Sequence, residues 1–141
     1  MLTNRIRQTN SVISLIGNTS LIQLNGENIF CKAEFLNPGG SIKDRVAMAM
    51  IDGAEKRGLL KEDSIIVEPT SGNTGIGIAL IGRLKGYMVR IVMPENMSEE
   101  RKKLIRALGA ELVLTTAHEN IKGALTAVQN MAETDKRIFV P

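Results

Sequence analysis

Residues 64–94 read SIIVEPTSGNTGIGIALIGRLKGYMVRIVMP, and this stretch decides the fold. An Ile/Val run, Ser64 to Pro69, stops at a turn-rich cluster. A longer glycine-punctuated apolar pattern follows from Gly75 to Gly86, and a second short run spans Met88 to Pro94. Short β-branched runs read as strands and the longer stretch between them as a helix. Strand hydrophobicity that is continuous rather than alternating implies burial on both faces. The unit is a strand–helix–strand crossover with parallel strands, which is right-handed in nearly all folds.

The same rhythm continues downstream: SEERKKLIRALG (98–109), AELVLT (110–115), HENIKGALTAVQNMAE (118–133) and RIFVP (137–141). Ser98 before Glu99 and Glu100, and Thr116 before Glu119, read as helix caps with acids in the first turn. Upstream, Ser41 followed by Asp44 resembles a capping pair after Pro38-Gly39-Gly40. Val46, Ala47, Met50, Ile51 and Ala54 then recur at helical spacing, which predicts a helix over 42–57 ended by Gly58. From Ser11 to Phe35 the texture is strand-like: SLIQL, the turn Asn25-Gly26-Glu27-Asn28, then IFCKAEF, in which Ile29, Cys31, Ala33 and Phe35 alternate with mostly polar neighbours. That pattern predicts a hairpin with one wet face and Cys31 on the buried one. The expected class is α/β: a three-layer, Rossmann-like parallel sheet with helices on both faces. There is no internal repeat.

With 141 residues the chain has the size of one ordinary domain, and 43% hydrophobic against 23% charged residues excludes disorder and collagen. No apolar run reaches the roughly 18 residues of a membrane span. Lys plus Arg is 18 against 15 acids, and the cations are interspersed with those acids, so nucleic acid gains little support. One cysteine excludes an internal disulfide framework, and MLTNRIRQTN lacks the apolar core of a signal peptide, which makes the cytoplasm the expected location. His118 reads as a solvated helix start, and one Cys with one His supplies no metal site. Met48, Met50 and Met93 read as core fillers, Met97 as a loop residue near the site entrance, and Arg101-Lys102-Lys103 as a solvated helix face.

In such a sheet, ligands bind beyond the carboxyl ends of the strands, where helix N-termini offer unpaired N–H donors. Two segments fit that position. Glu68-Pro69-Thr70-Ser71-Gly72-Asn73-Thr74-Gly75 gathers three hydroxyls, a carboxamide and two glycines, a donor set suited to a small anion such as a carboxylate. The alternative is that Thr70, Ser71 and Asn73 only cap the next helix while the glycines make the turn. A dinucleotide reading is weak: Gly75-Ile76-Gly77 gives a G-x-G, but Leu80 stands where the third glycine belongs, and Glu95 is the sole acidic candidate about twenty residues on. The second segment is Asn37-Pro38-Gly39-Gly40-Ser41-Ile42-Lys43-Asp44-Arg45. The positive end of a helix dipole opposes an ammonium ion at Lys43 and favours a nucleophilic amine, as carbonyl cofactors require. The alternative is a solvated lysine flanked by Asp44 and Arg45.

These two motifs, followed by Val92-Met93-Pro94-Glu95-Asn96-Met97-Ser98, together resemble the cysteine synthase (O-acetylserine sulfhydrylase) family of pyridoxal-phosphate enzymes, from about Ile13 to the last residue. Cystathionine β-synthases share all three motifs, while RALGAELVLT and NIKGALTAV look more like cysteine synthase. The resemblance implies that Lys43 carries the cofactor and removes the substrate's α-proton, and that Asn73 hydrogen-bonds the cofactor's phenolic oxygen. It also implies that Thr70, Ser71, Gly72, Asn73 and Thr74 bind the amino-acid carboxylate while sulfide replaces the acetate of O-acetylserine to give cysteine. It implies a homodimer in the complete form, and a partner in the C-terminal tail of serine acetyltransferase, whose carboxylate mimics substrate.

The same resemblance assigns residues 1–42, hairpin included, to the larger cofactor-binding domain, and 43–141 to a small mobile α/β domain. The family's phosphate loop, the serine facing the pyridine nitrogen and a carboxylate-binding glutamine have no counterpart here. The expectation is therefore an N-terminal half that binds the cofactor poorly and is inactive alone. A non-catalytic anion-binding module is the competing class, disfavoured by Lys43 beside an intact Thr-Ser-Gly-Asn-Thr loop.

Overall fold

The computed structural model describes residues 11–141; residues 1–10, read above for a signal peptide, lie outside the described residues. A hairpin of β1 (Leu21–Gln23) and β2 (Phe30–Lys32) precedes a four-stranded sheet of β3 (Ile65–Pro69), β4 (Met88–Pro94), β5 (Glu111–Thr115) and β6 (Ile138–Phe139). The sheet order is β5-β4-β3-β6 and every pairing is parallel. Four helices accompany it: α1 (Lys43–Lys56), α2 (Asn73–Leu84), α3 (Glu99–Ala107) and α4 (Asn120–Thr134). The expected three-layer α/β class is the one observed. No helix among the described residues is long and apolar enough to cross a membrane.

Strand alternation divides the core in two. Ile66, Val89, Ile91 and Met93 face Ala47, Ile51 and Ala54 of α1, the buried side of α2, and Ile105 of α3. Ile65, Val67 and Val92 face Ala124 and Val128 of α4 on the other side. Each side chain withdrawn from water in this way contributes about 1.5–3 kcal/mol before entropy is counted. Met93 is fully buried, and Met48, Met50 and Met97 pack against the same core, as the filler reading expected for the first three.

α2 is buried nearly all round, from Gly75 to Ala79 and again at Ile81 and Gly82, because it lies between α1, α3 and the sheet. Its glycines make that possible: a Cβ on Gly82 would stand 2.6 Å from Val89 Cγ2, and one on Gly75 2.5 Å from Thr70 Cγ2. Helix propensity is given up, at about 1 kcal/mol per glycine, for close approach.

The hairpin departs from expectation. Asn25 (φ 45°) and Gly26 (φ 76°) form the left-handed corner their types predict, closed by Glu27 N–H to Leu24 O at 2.9 Å. Both strands, however, are exposed along their whole length, and Cys31 is exposed rather than core. Helices α2, α3 and α4 lie on the larger sheet and α1 packs chiefly on α2, and every residue of both hairpin strands stays exposed, with no second layer over the alternating face among the described residues. β2 ends at Lys32: Ala33 is fully buried, while Phe35 sits 63% exposed in a 3-10 turn over Glu34–Leu36. Thr116 also differs, in that its hydroxyl donates to Glu119 Oε2 at 2.6 Å and caps no backbone N–H. Ser98 does cap α3, accepting from Arg101 N–H at 3.4 Å.

Candidate active site

Because the strands run parallel, the loops after β3, β4 and β5 share one edge of the sheet. β3 reaches α2 through only Thr70, Ser71 and Gly72. Thr70 is buried, its N–H donates to Val92 O at 3.0 Å, and its Oγ1 accepts from Gly72 N–H at 3.2 Å. One hydroxyl thus braces the loop from inside, while Ser71 and Asn73 are exposed and Gly72 and Thr74 partly so. Gly72 caps α2 in an extended conformation with no side-chain cap bond.

Among the described residues, the N–H groups of Asn73, Thr74 and Gly75 have no acceptor, and the side chains of Ser71, Asn73 and Thr74 make no hydrogen bond. The capping alternative therefore holds for none of the three: the Thr70 hydroxyl bonds Gly72 ahead of the helix, and no side chain caps α2 among the described residues. Helix α1, by contrast, opens with Ser41 Oγ accepting from Lys43 N–H at 3.1 Å. Three free N–H groups at the positive end of a helix, with three unengaged polar side chains beside them, make a cradle for an anion.

Lys43 is the first residue of α1. A Cβ on Gly77 would stand 2.9 Å from the Lys43 carbonyl oxygen and 3.1 Å from Ala47 Cβ. Gly77 lies about one helical turn beyond Asn73, so the backbone of Lys43 abuts α2 just inside the cradle. The side chain is partly exposed and takes part in none of the ion pairs among the described residues. The backbone of Lys43 and the anion loop thus lie at adjacent helix ends.

Three features escaped sequence reasoning. Glu68, next to last in β3, shares its strand face with Ile66, and burial alone pushes its carboxyl up to about 7. Lys102 is buried rather than solvated: Nζ donates to Glu95 O at 2.5 Å and pairs with Glu99 Oε1 at 2.6 Å, while Glu95 Oε1 accepts from Ala117 N–H at 3.1 Å. This chain of bonds ties the loop after β4 to the loop after β5. A run of cations does not reveal that a loop carbonyl lies within reach of the middle one. Asp44 is fully buried and not simply part of a capping pair, since its Oδ2 accepts from Gly39 N–H. His118 is exposed. A surface cleft of about 200 Å³ lined by Ile65, Met88, Arg90 and Glu111 opens at the opposite, amino end of the strands.

Fold and cradle together define a class. Residues 12–141 match the family described as pyridoxal-phosphate dependent enzyme, and the chain belongs to that family. More particularly, it is 48% identical over 136 residues to a cysteine synthase of Flavobacterium sp., covering 93% of this chain and 44% of the relative. It is 45% identical over 133 residues to a cysteine synthase of Staphylococcus aureus, covering 90% and 43%.

Among solved structures it resembles a cysteine synthase from Entamoeba histolytica (38% identity, TM-score 0.90, 99% of this chain and 45% of that one). It also resembles an O-acetylserine dependent cystathionine β-synthase from Helicobacter pylori (34%, TM-score 0.87, 95% and 46%). The chain therefore spans less than half the length of these relatives.

Proposed function

We propose that this chain supplies the amino-terminal part of a cysteine synthase, which replaces the acetate of O-acetylserine with sulfide to give cysteine. The observation that carries this reading is the pairing of Lys43, packed against α2 at Gly77, with the unengaged donors of residues 71–75. The donor set fits pyridoxal phosphate with its amino-acid substrate: one lysine amine for an aldehyde, and N–H groups, hydroxyls and a carboxamide for a carboxylate. Lys43 would hold the cofactor and Asn73 its ring oxygen, while Thr70, Ser71, Gly72, Asn73 and Thr74 take the substrate carboxylate. When bound, the cofactor supplies the electron sink that makes the α-proton acidic.

The residues of this chain do the positioning. The loop fixes the carboxylate, which orients the α-carbon, and Lys43 Nζ is the base that takes its proton. Residues 1–42 belong to the larger domain of the complete enzyme and 43–141 to the smaller one, in a cytoplasmic homodimer. The same loop would accept the C-terminal carboxylate of a serine acetyltransferase tail. A cystathionine β-synthase activity is the second reading, favoured by the 34% identity to the Helicobacter pylori enzyme; the higher identities to cysteine synthases favour the first.

The test uses a polypeptide carrying this chain together with the remaining length of its relatives. It is expected to form cysteine from O-acetylserine and sulfide faster than cystathionine from serine and homocysteine, and Lys43→Ala is expected to lose both activities. The 141 residues alone are expected to form no cysteine. Faster cystathionine formation would select the second reading, and full activity in Lys43→Ala would end both.

A further inference from the structure

We propose that Asp44 and Arg45 are positioning residues that aim the Lys43 side chain, an inference that rests on the role given to Lys43 above. The three residues are consecutive in the first turn of α1, so their side chains leave the helix axis about 100° apart. Pinning the two later ones fixes the rotation of the turn, and with it the direction in which Lys43 projects.

Each is pinned to a different piece of the earlier chain. Asp44 is fully buried; its Oδ2 accepts from Gly39 N–H at 2.5 Å, and its Oδ1 has no partner among the described residues. Position 39 has no room for a side chain, because a Cβ there would strike this carboxylate. A desolvated carboxyl with one bond and one bare oxygen costs free energy. That cost is intelligible if the group holds the 37–41 turn against α1.

Arg45 is seated as a fork: Nε donates to Glu34 Oε2 at 2.8 Å and Nη2 to Glu34 Oε1 at 3.0 Å, with Thr19 Oγ1 a further acceptor at 3.3 Å. Glu34 is itself held, receiving Thr19 Oγ1 at 2.7 Å and Asn37 Nδ2 at 2.9 Å. Buried Asn37 in turn accepts from Gly17 N–H at 2.8 Å. A bidentate guanidinium–carboxylate pair fixes orientation as well as distance. With Gly77 against the Lys43 carbonyl on a third side, the turn is held by the 37–41 turn, by the 17–34 network and by α2.

The test is chemical capture at Lys43 in the polypeptide that carries this chain together with the remaining length of its relatives. Pyridoxal phosphate is added, the aldehyde condenses with an amine with loss of water, and borohydride reduces the C=N bond. Peptide mass spectrometry then compares Lys43 with exposed Lys56 and Lys61. In the unaltered chain Lys43 is expected to be captured preferentially. That preference should fall about tenfold in Asp44→Ala and about threefold in the milder Glu34→Gln, and stay within about twofold of the unaltered chain in Asp44→Asn, which keeps an acceptor for Gly39.

Thermal unfolding reports which variants fold, and Glu34→Gln carries the test if Asp44→Ala does not. Equal preference in the folded variants and the unaltered chain would overturn the positioning role while leaving Lys43 itself in place. No preference for Lys43 in the unaltered chain would overturn the reading of the site and this inference with it.

Discussion

Gly77 marks, at the scale of single residues, where the two halves of the candidate site meet. Alanine there would place a methyl group 2.9 Å from a backbone carbonyl that cannot swing aside. Gly77→Ala should therefore destabilise the chain by about 1–3 kcal/mol. Gly53→Ala, also within a helix but with nothing within 4 Å of its Cβ, should stabilise it by about 0.5–1 kcal/mol. Denaturant unfolding of the two variants gives the comparison; equal effects would show that the α1–α2 contact is loose.

Glu68 makes a second residue-scale prediction. Its folded carboxyl titrates near 7 because burial disfavours the charge, against 4.5 unfolded, so the folded state binds the extra proton between those values. Stability should therefore fall as pH rises from about 4.5 to 7, by on the order of 2 kcal/mol, and level off above. Glu68→Gln should lack that slope; a wild-type curve flat over the same window would refute the assignment. Residue types made Lys43 and the hydroxyl loop legible in advance. Burial of Asp44 and Lys102, and exposure of Cys31, were not legible, since each depends on which layer lies opposite.

Element by element, the alternation of strand and helix was legible because strand runs of continuous Ile and Val differ in length and composition from helical ones. Boundaries followed: the helix expected over 42–57 spans Lys43–Lys56. The hairpin was legible in its turn but not in its packing, because alternation shows which face wants cover without supplying it. The tie between α1 and the preceding segment has its own pH signature. Arg45, with Thr19 and Asn37, holds the Glu34 carboxyl down at about 2. That stabilisation is present above the unfolded value of 4.5 and is lost as pH falls through about 2. Acid titration of unfolding should show a shallower loss for Glu34→Gln than for the unaltered chain in that window. A parallel pair of curves would mean that the fork does not form in solution.

For the whole molecule, the bonds from Arg45 and Asp44 to residues 17–39 join α1 to the earlier segment. The boundary proposed above at 42/43 is therefore not the hinge, and we propose that closure over substrate acts beyond α1. Hydrogen exchange in the presence of a carboxylate analogue should slow in residues 70–75 and stay unchanged at Gly17 and Gly39. Slowing confined to Gly17 and Gly39 would place the motion at the joint instead.

The central claim is that one lysine, at the mouth of a carboxylate cradle, carries the cofactor. It is tested most directly by the visible absorption of pyridoxal phosphate bound to the polypeptide that carries this chain with the remaining length of its relatives. The account predicts a protein-bound band in the unaltered protein that is absent from a folded Lys43→Ala variant. The same band persisting in that variant would contradict it.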